Sequence, residues 1–247
     1  MKHRLPQGLV ALSVIGLAAC GDAAGPDQDD SSLESLLTLD VAMVSADAVI
    51  DDVAELWLGF GGGRGGPTTA APERVRTVTF FDAAGNEQEA YDEVTTASVH
   101  IVSEISGEMG REQWSGSISR TRDMTITGLE GDETARTANG TGSGTVSRSH
   151  HSDENGDRSY EMTSTWVITD VVHTVPREAN PYPLSGSITR DVTVVIVNGP
   201  NGDETRTRHV VITFNGTQFA TMLVDGESFD VDLSARDGHQ PFRRHGR

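Results

Sequence analysis

The sequence contains one cysteine, Cys20, and one lysine, Lys2, among 247 residues. A single thiol excludes an intramolecular disulfide and a multi-cysteine metal site. Because Lys2 lies at the extreme N-terminus, the rest of the chain has no lysine for a Walker A motif, a Schiff base or a Ser-Lys pair. Neither G-x-S-x-G nor H-E-x-x-H occurs, so serine hydrolases with a nucleophile elbow and zinc proteases are not indicated.

Positive charge is also scarce, since 19 Lys and Arg residues stand against 37 Asp and Glu residues, giving a net charge of −18. A chain this acidic repels phosphate backbones, and we therefore expect no nucleic-acid partner. Long apolar runs are missing as well. The apolar stretch 9–17 is too short to span a bilayer, and no later stretch approaches the roughly 20 apolar residues that a membrane helix needs.

The N-terminus combines basic residues with a short apolar run that ends in Leu17-Ala18-Ala19-Cys20. This pattern resembles the lipobox of bacterial lipoproteins. The resemblance implies a signal peptide over 1–19, lipidation of Cys20 and acylation of the new amino terminus by a chain such as palmitate. Two or three acyl chains anchor a protein stably. Gly21 after the cysteine resembles the enteric signal for the outer membrane, and we expect a cell-envelope location, facing either the periplasm or the outside.

Removing the signal peptide would leave 17 basic and 37 acidic side chains, a net charge of −20. Residues 20–31 are small and acidic and are expected to form a flexible tether. Ser31 and Glu34 have capping-box spacing, which predicts a helix over 32–59. The helical spacing involves Leu37, Val41, Val44, Ala48, Val49, Val53, Leu56 and Trp57, and an acidic stripe contains Asp40, Asp47, Asp51 and Glu55.

The segment 60–72 is rich in glycine and includes a G-x-G-x-x-G match at residues 61–66. A dinucleotide loop with this motif follows a strand and opens a helix, whereas this match follows a predicted helix and precedes Pro67. We interpret the segment as a linker, and we expect no cofactor.

Residues 73–235 alternate apolar and hydroxyl side chains with period two, which is typical of antiparallel strands. Turn sequences divide this region into ten candidate strands: 74–82, 87–91, 96–106, 113–127, 134–150, 159–175, 184–197, 205–214, 218–224 and 228–233. Because hairpin follows hairpin, we predict a mainly β fold, an antiparallel meander curled into a half-open barrel and packed on the N-terminal helix. A two-sheet sandwich is the alternative. Residues 236–247 are expected to be a disordered tail.

Three short motifs recur in the same order and predict an internal duplication of 114–150 and 184–224. The pairs are 115–120 with 185–190, 131–134 with 202–205, and 139–141 with 215–217. In the two copies, Ile118 and Ile188 fall on one face and a series of Ser and Thr residues falls on the other. The first face needs a cover, and the N-terminal helix is the available one.

Arg120 and Arg190 occupy equivalent positions on the apolar face, where a guanidinium group needs an acidic partner. Two interpretations stay open. Either these arginines pair with Asp47, Asp51 and Glu55 of the helix or extend to the sheet rim, or they bind the anionic head group of an amphiphile whose tail lies on the apolar strands.

The other chemistry-bearing groups favour ordinary structural roles. His150 and His151 precede Asp153, Asn155 and Asp157, which match the start of a calcium loop but lack its glycine and its final glutamate, so we interpret them as a hairpin tip and expect no metal. The three tryptophans, Trp57, Trp114 and Trp166, are expected in the core.

These observations favour a lipid-anchored envelope protein with a non-enzymatic β domain that binds an amphiphile or a protein partner. A structural or adhesive surface domain is the second hypothesis. A glycan-acting hydrolase is the third, because paired carboxylates cannot be located from spacing along the chain.

Overall fold

In the computed structural model, the described residues are 27–57, 73–111, 114–150, 158–199, 202–235 and 242–244. The chain divides into two compact units, Met1–Leu36 and Leu37–Arg247. The described part of the first unit, 27–36, is helical. The sheet and the contacts discussed below belong to the second unit.

One α-helix and eleven strands make up the regular structure of the described residues. They are α1 (Asp27–Trp57), β1 (Glu73–Asp82), β2 (Glu87–Gln88), β3 (Thr96–Arg111), β4 (Trp114–Thr127), β5 (Ala135–His150), β6 (Arg158–Thr174), β7 (Ser185–Gly199), β8 (Gly202–Thr213), β9 (Phe219–Val224), β10 (Glu227–Asp232) and β11 (Phe242–Arg244). A short 3₁₀ turn, Arg177–Ala179, lies between β6 and β7.

All eleven strands belong to one sheet in the order β11-β10-β9-β8-β7-β6-β5-β4-β3-β1-β2, and their pairings are antiparallel. The predicted fold class, a mainly β antiparallel meander with one N-terminal helix, is confirmed. The sandwich alternative is wrong, because the described strands form a single open sheet. None of the helices in the described part of the chain combines the length and hydropathy needed to cross a membrane.

The sheet departs from a simple meander at β2, which pairs with the outer side of β1 while β3 pairs with the inner side. Two aspartates stabilise the turns that this path requires. Asp82 accepts hydrogen bonds from the backbone N–H groups of Ala84 and Asn86, and Asp92 accepts them from Val94 and Thr95. Such Asx turns replace the backbone hydrogen bonds that the chain loses outside the strands.

The β9–β10 hairpin shows how closely a turn sequence can specify its geometry. Asp225 and Gly226 have φ values of 48° and 88°. A two-residue turn with positive φ at both positions matches the twist of the flanking strands, and Asp-Gly is a preferred sequence for it. The predicted strands on either side, 218–224 and 228–233, differ from those observed by at most one residue at any end.

Helix α1 begins five residues earlier than predicted, at Asp27, within the segment assigned to the tether. The capping-box interpretation of Ser31 and Glu34 is therefore wrong, because both residues lie inside the helix. The acidic segment 27–30 therefore belongs to the helix instead of preceding it, and acidic residues are favoured in the first turn of a helix.

The second part of α1 is the core of the fold. Ten side chains between Leu37 and Val53 are buried, and none of the described ones in 37–53 is exposed: Leu37, Asp40, Val41, Ala42, Ser45, Ala46, Ala48, Val49, Asp52 and Val53. At 100° per residue these positions cover about two thirds of the helix circumference. A helix buried on so much of its surface is enclosed by the sheet, and not merely laid across it.

Curvature of the sheet follows from this burial. Ile101 on β3 and Phe229 on β10 are seven strands apart and both are buried on the face toward α1. At about 4.8 Å per strand, a flat sheet would place them about 34 Å apart. Helix α1 runs along the strands, because Asp47 contacts Arg148 while Asp52 contacts Arg120, which lies opposite Gly144, four residues away on β5. Across the strands the helix covers only its width of about 10 Å. The strands therefore curl around the helix. We call the face toward α1 the inner face and the opposite face the outer face.

Two further sequence predictions concern the C-terminal tail and the internal duplication. The expected disordered tail, 236–247, does not hold for 242–244, where β11 pairs with Phe229, Asp230 and Val231 of β10.

Among the recurring motifs, 115–120 and 185–190 both lie at the start of a strand. The segment 139–141 lies within β5, whereas 215–217 lies in the loop after β8. The duplication stays a prediction.

Candidate functional site

The inner face carries a buried cluster of charge around Asp52 of α1. Its carboxylate accepts hydrogen bonds from the Nη2 atoms of Arg120 at 3.1 Å and Arg190 at 2.7 Å, and from Nη2 of Arg122. All four side chains are at most 5 % exposed. We call Asp52 and these three arginines, together with Trp166, the arginine cluster.

Strand alternation places the arginines. Arg120 and Arg122 are inner-face residues of β4, and Arg190 is an inner-face residue of β7, two strands beyond β5. Because β4 and β7 are about 14 Å apart along the sheet, one carboxylate can reach both only if the side chains extend over β5 and β6. The curl of the sheet brings the three guanidinium groups together above these strands.

Glycines on β5 leave the room that the long side chains need. A Cβ at Gly142 would lie 2.3 Å from the ring of Trp166, and one at Gly144 would lie 2.6 Å from Cγ of Arg120. The Trp166 ring in turn lies 4.5 Å from the guanidinium carbon of Arg190 and 5.7 Å from that of Arg120. Cation–π contact with an indole is most favourable in such a desolvated setting.

The electrostatics of the cluster favour the ionised state of Asp52 and weaken, without abolishing, that of Arg190. Burial opposes ionisation of Asp52, but Arg122, Arg190 and Arg120 outweigh it, so the pKa of this carboxyl lies below its usual value. Burial lowers the pKa of Arg190 to about 10, with Asp52 opposing that shift and the neighbouring arginines adding to it. The guanidinium group of Arg190 therefore stays charged at neutral pH, and Asp52 is the anion that the three arginines share.

The predicted pairing of Arg120 and Arg190 with the helix is confirmed in kind, but its partner is different. The helix residue that bonds Arg120 and Arg190 is Asp52, which the prediction did not include, and Asp47 lies 3.5 Å from Nη2 of Arg148. The side chains of Asp51 and Glu55 lie outside the described residues. Asp52 was overlooked because it sits among the apolar positions of the helix, four residues after Ala48 and three after Val49.

Arg122 is the other member that sequence reasoning missed as a site residue. Its place on the inner face follows from alternation with Arg120, but the second copy has Val192 at the equivalent position, so the duplication gave no signal for it. One signal would have located the cluster. It is the combination of an aspartate among the apolar positions of the helix with two arginines on the apolar face of one strand.

A shallow groove of about 580 Å³ lies on the outer face and crosses β3 to β7. We call it the outer groove. The strand register places the outer-face side chains that line it in two neighbouring rows. One row contains Val102, Asp123, Thr141, Val167 and Thr189, and the other contains Thr121, Ser143, Thr165 and Asp191. The short side chains of Thr141 and Ser143 on the central strand keep its middle open.

Two histidines hold the carboxylates of the outer groove. Nε2 of His100 lies 2.7 Å from Oδ1 of Asp123, and Nδ1 of His209 lies 2.8 Å from Oδ1 of Asp191. Asp123 and Asp191 are 63 % and 75 % exposed, so each keeps acceptor capacity for a further donor. The two pairs fix acceptors near opposite ends of the groove.

Charge is segregated between the two faces of β3 to β8. Among the described side chains of these strands, the arginines occupy inner-face positions: Arg120, Arg122, Arg136, Arg148, Arg190, Arg206 and Arg208. The outer face carries Glu104, Glu108, Asp123, Glu161, Asp191 and Asp203 among its Ser and Thr residues. The outer face is therefore acidic and rich in hydroxyl groups.

Several predicted features lie outside the described residues, namely Cys20, the linker 60–72, the segment 151–157 and the side chains of Trp57, Trp114 and His150. Trp166 is buried, as expected for a core tryptophan. In the described residues, no group of three His, Cys, Asp or Glu side chains is arranged to hold a metal ion. Comparison of the chain with protein-family models, with curated proteins and with solved structures finds no match.

Proposed function

We propose that this chain is a lipid-anchored protein of the bacterial cell envelope whose β domain is a non-enzymatic binding module that meets its partner with the outer face of the sheet. The observation that carries the proposal is the contrast between a filled interior and an open outer groove. The lipobox-like sequence at Cys20 supports the anchor, and localisation in the outer membrane rests on Gly21.

The interior offers little room for an amphiphile. Helix α1 occupies the space that the tail would need, and Asp52 occupies the position of an anionic head group among Arg120, Arg122 and Arg190. An amphiphile would have to displace both the core helix and a buried ion cluster, which is costly. Of the two ligand types expected from the sequence, a partner at the surface therefore fits better.

A hydrolase fits the outer groove less well than a binding module. Glycosidases place their two carboxyl groups roughly 5 to 9.5 Å apart. Asp123 and Asp191 belong to β4 and β7, three strand spacings apart, which corresponds to about 14 Å. Each is also bonded to a histidine on its own side of the groove.

A structural or adhesive domain is the second candidate, and one observation favours it. A row of exposed hydroxyl side chains crosses six successive strands in register: Ser106, Ser119, Thr145, Thr163, Thr193 and Thr207. Such a regular surface could contact an extended, repetitive partner. The variant Thr163→Trp would disrupt this row of hydroxyl groups, whereas Ser143→Trp would obstruct the outer groove.

The anchor is tested by labelling cells with a palmitate analogue and comparing the wild-type chain with Cys20→Ala. We expect label and tight membrane association for the wild type and neither for the variant. Equal association of both chains would contradict the anchor.

The binding surface is tested by sedimenting the Cys20→Ala chain with envelope fragments of the same bacterium. Retention that is lost with Ser143→Trp supports binding through the outer groove. Native mass spectrometry of the same chain should show the mass of the protein alone, whereas a stoichiometric co-purified lipid would contradict the proposal.

A further inference from the structure

The outer groove has the chemistry of a site for a neutral oligosaccharide. We propose that it binds a linear, uncharged glycan laid across β3 to β7, an inference that rests on the outer-face binding proposed above. Its lining combines hydroxyl groups, two oriented carboxylates and two valines, and each of these has a counterpart on a sugar.

The carboxylates select for ligands that donate hydrogen bonds. Asp123 and Asp191 are held by His100 and His209, so their remaining lone pairs point from fixed positions toward a ligand. Sugar hydroxyl groups donate to carboxylates, and hydrogen bonds with a charged acceptor are stronger than neutral ones. Between the two carboxylates, Thr121, Thr141, Ser143, Thr165 and Thr189 can each donate or accept.

Charge argues against anionic ligands at this surface. The outer face of β3 to β8 carries acidic side chains, whereas the described arginines of these strands face the other way. A phosphate, sulfate or uronic acid group would meet the carboxylates of Asp123 and Asp191, whereas the guanidinium group of Arg122, which also lines the groove, is buried against Asp52 on the inner face. The acidic composition of the whole chain, with a net charge of −18, adds to this repulsion.

Shape and apolar contact indicate an extended chain. The first row spans four strand spacings, about 19 Å, the second spans three, and the two are separated by about 7 Å along the strands. Val102 and Val167 offer apolar surface, and Val167 is 49 % exposed in the middle of the groove. The C–H faces of a pyranose ring can cover these side chains while its edges reach the hydroxyl groups.

The experiment is a calorimetric titration of the full chain with cellohexaose, maltohexaose and chitohexaose, and with hexagalacturonate as the anionic counterpart. We expect at least one neutral hexasaccharide to bind, and hexagalacturonate to bind at least tenfold more weakly. The variants are Ser143→Trp, which fills the middle of the groove, and Asp191→Asn. Each should weaken binding at least tenfold.

The matched control is Ser147→Trp, which places the same bulky side chain on the same strand and face, four residues from Ser143 and outside the groove. It should bind like the wild type. Absence of binding by every neutral hexasaccharide, equal binding by the two tryptophan variants, or tighter binding of hexagalacturonate would each overturn the glycan assignment.

Competition separates this inference from the proposed function. If neutral hexasaccharides release the chain from envelope fragments, the glycan assignment is supported. If Ser143→Trp abolishes envelope binding but none of the sugars competes, the outer-face binding module stands and the glycan assignment fails. If neither the variant nor the sugars change envelope binding, both fail.

Discussion

The inner and outer faces of the same strands differ in how tightly their side chains are packed and in how far they are exposed. On β5, the inner positions 140, 142 and 144 are glycines with Trp166 and Arg120 packed over the latter two, while the outer positions 141, 143 and 145 carry exposed hydroxyl groups. An added methyl group has no room on one side and open solvent on the other. The inner face therefore specifies the fold, and the outer face is free to carry function.

Asp52 should be the most sensitive position of the inner face. Asp52→Asn removes the charge that three buried guanidinium groups share, and breaking a buried ion pair in this way costs roughly 3 to 5 kcal/mol. Asp47→Asn is the matched control and should cost clearly less, because Asp47 is 21 % exposed and lies 3.5 Å from one guanidinium group, that of Arg148, so that water can replace part of the contact. Urea unfolding measures both, and equal losses would contradict the ranking.

Acid should destabilise the fold through His173. Burial, with Arg136 adding to it, lowers the pKa of His173 from 6.5 to about 4. Between these pH values His173 is protonated in the unfolded chain but neutral in the folded chain. Its contribution to the free energy of unfolding is therefore fully present above pH 6.5 and falls by roughly 3 kcal/mol as the pH drops toward 4. Protonation of Asp52 lowers the free energy of unfolding only below the usual aspartate pKa of 3.8, so Asp52 does not contribute to the change in this window.

The measurement is the free energy of unfolding at pH 7 and at pH 4.5 for the wild type, His173→Gln and His100→Gln. His173→Gln should flatten the pH dependence. His100→Gln makes the same substitution at an exposed histidine of the outer face and is the control for the substitution itself. A wild-type free energy that does not change between these pH values would show that His173 is not held neutral by burial.

Glycine at position 142 should be required by packing alone. Gly142→Ala places Cβ 2.3 Å from the Trp166 ring, so the ring must move, and overpacking of this kind costs about 1 to 3 kcal/mol. Ser143→Ala, next to it on the outer face, should change stability by less than about 0.5 kcal/mol. Thermal unfolding compares the two, and a tolerated Gly142→Ala would show that the inner face is looser than described.

The smallest effect is expected from the hydroxyl row of the outer face. Thr145 and Thr163 face each other across β5 and β6, and both are exposed. The double variant Thr145→Ala with Thr163→Ala loses one cross-strand pair, for which we expect at most about 1 kcal/mol in chemical denaturation. A larger loss would mean that the outer face also stabilises the fold.

The sequence predicted the sheet well because each strand carries its own signal. Alternation of Ile118 and Arg120 with Ser and Thr, together with turn sequences such as Asp225-Gly226, located the strands to within a few residues. The exceptions have physical reasons. The strand predicted over 87–91 contains β2, which ends earlier, at Gln88, and the three-residue strand β11 was not predicted, because both depend on pairing with a neighbour, which no local pattern encodes.

The candidate site was predicted only in part, because it depends on distance in space. Alternation placed Arg120 and Arg190 on the covered face, and charge required an acidic partner for them. That the partner is Asp52 depends on the rotation of α1 and on the curl that brings β4 and β7 together. The outer groove has no signal along the chain at all, since its rows come from the register of five strands.

Hydrogen exchange of the backbone amides reports whether α1 is the permanent interior of the sheet. We expect amides of residues 41–53 to exchange only through global unfolding, with the same free energy as the central strands β5 to β7. Fast exchange of the helix while these strands stay protected would contradict it, because the interior would then open to a ligand without loss of the sheet.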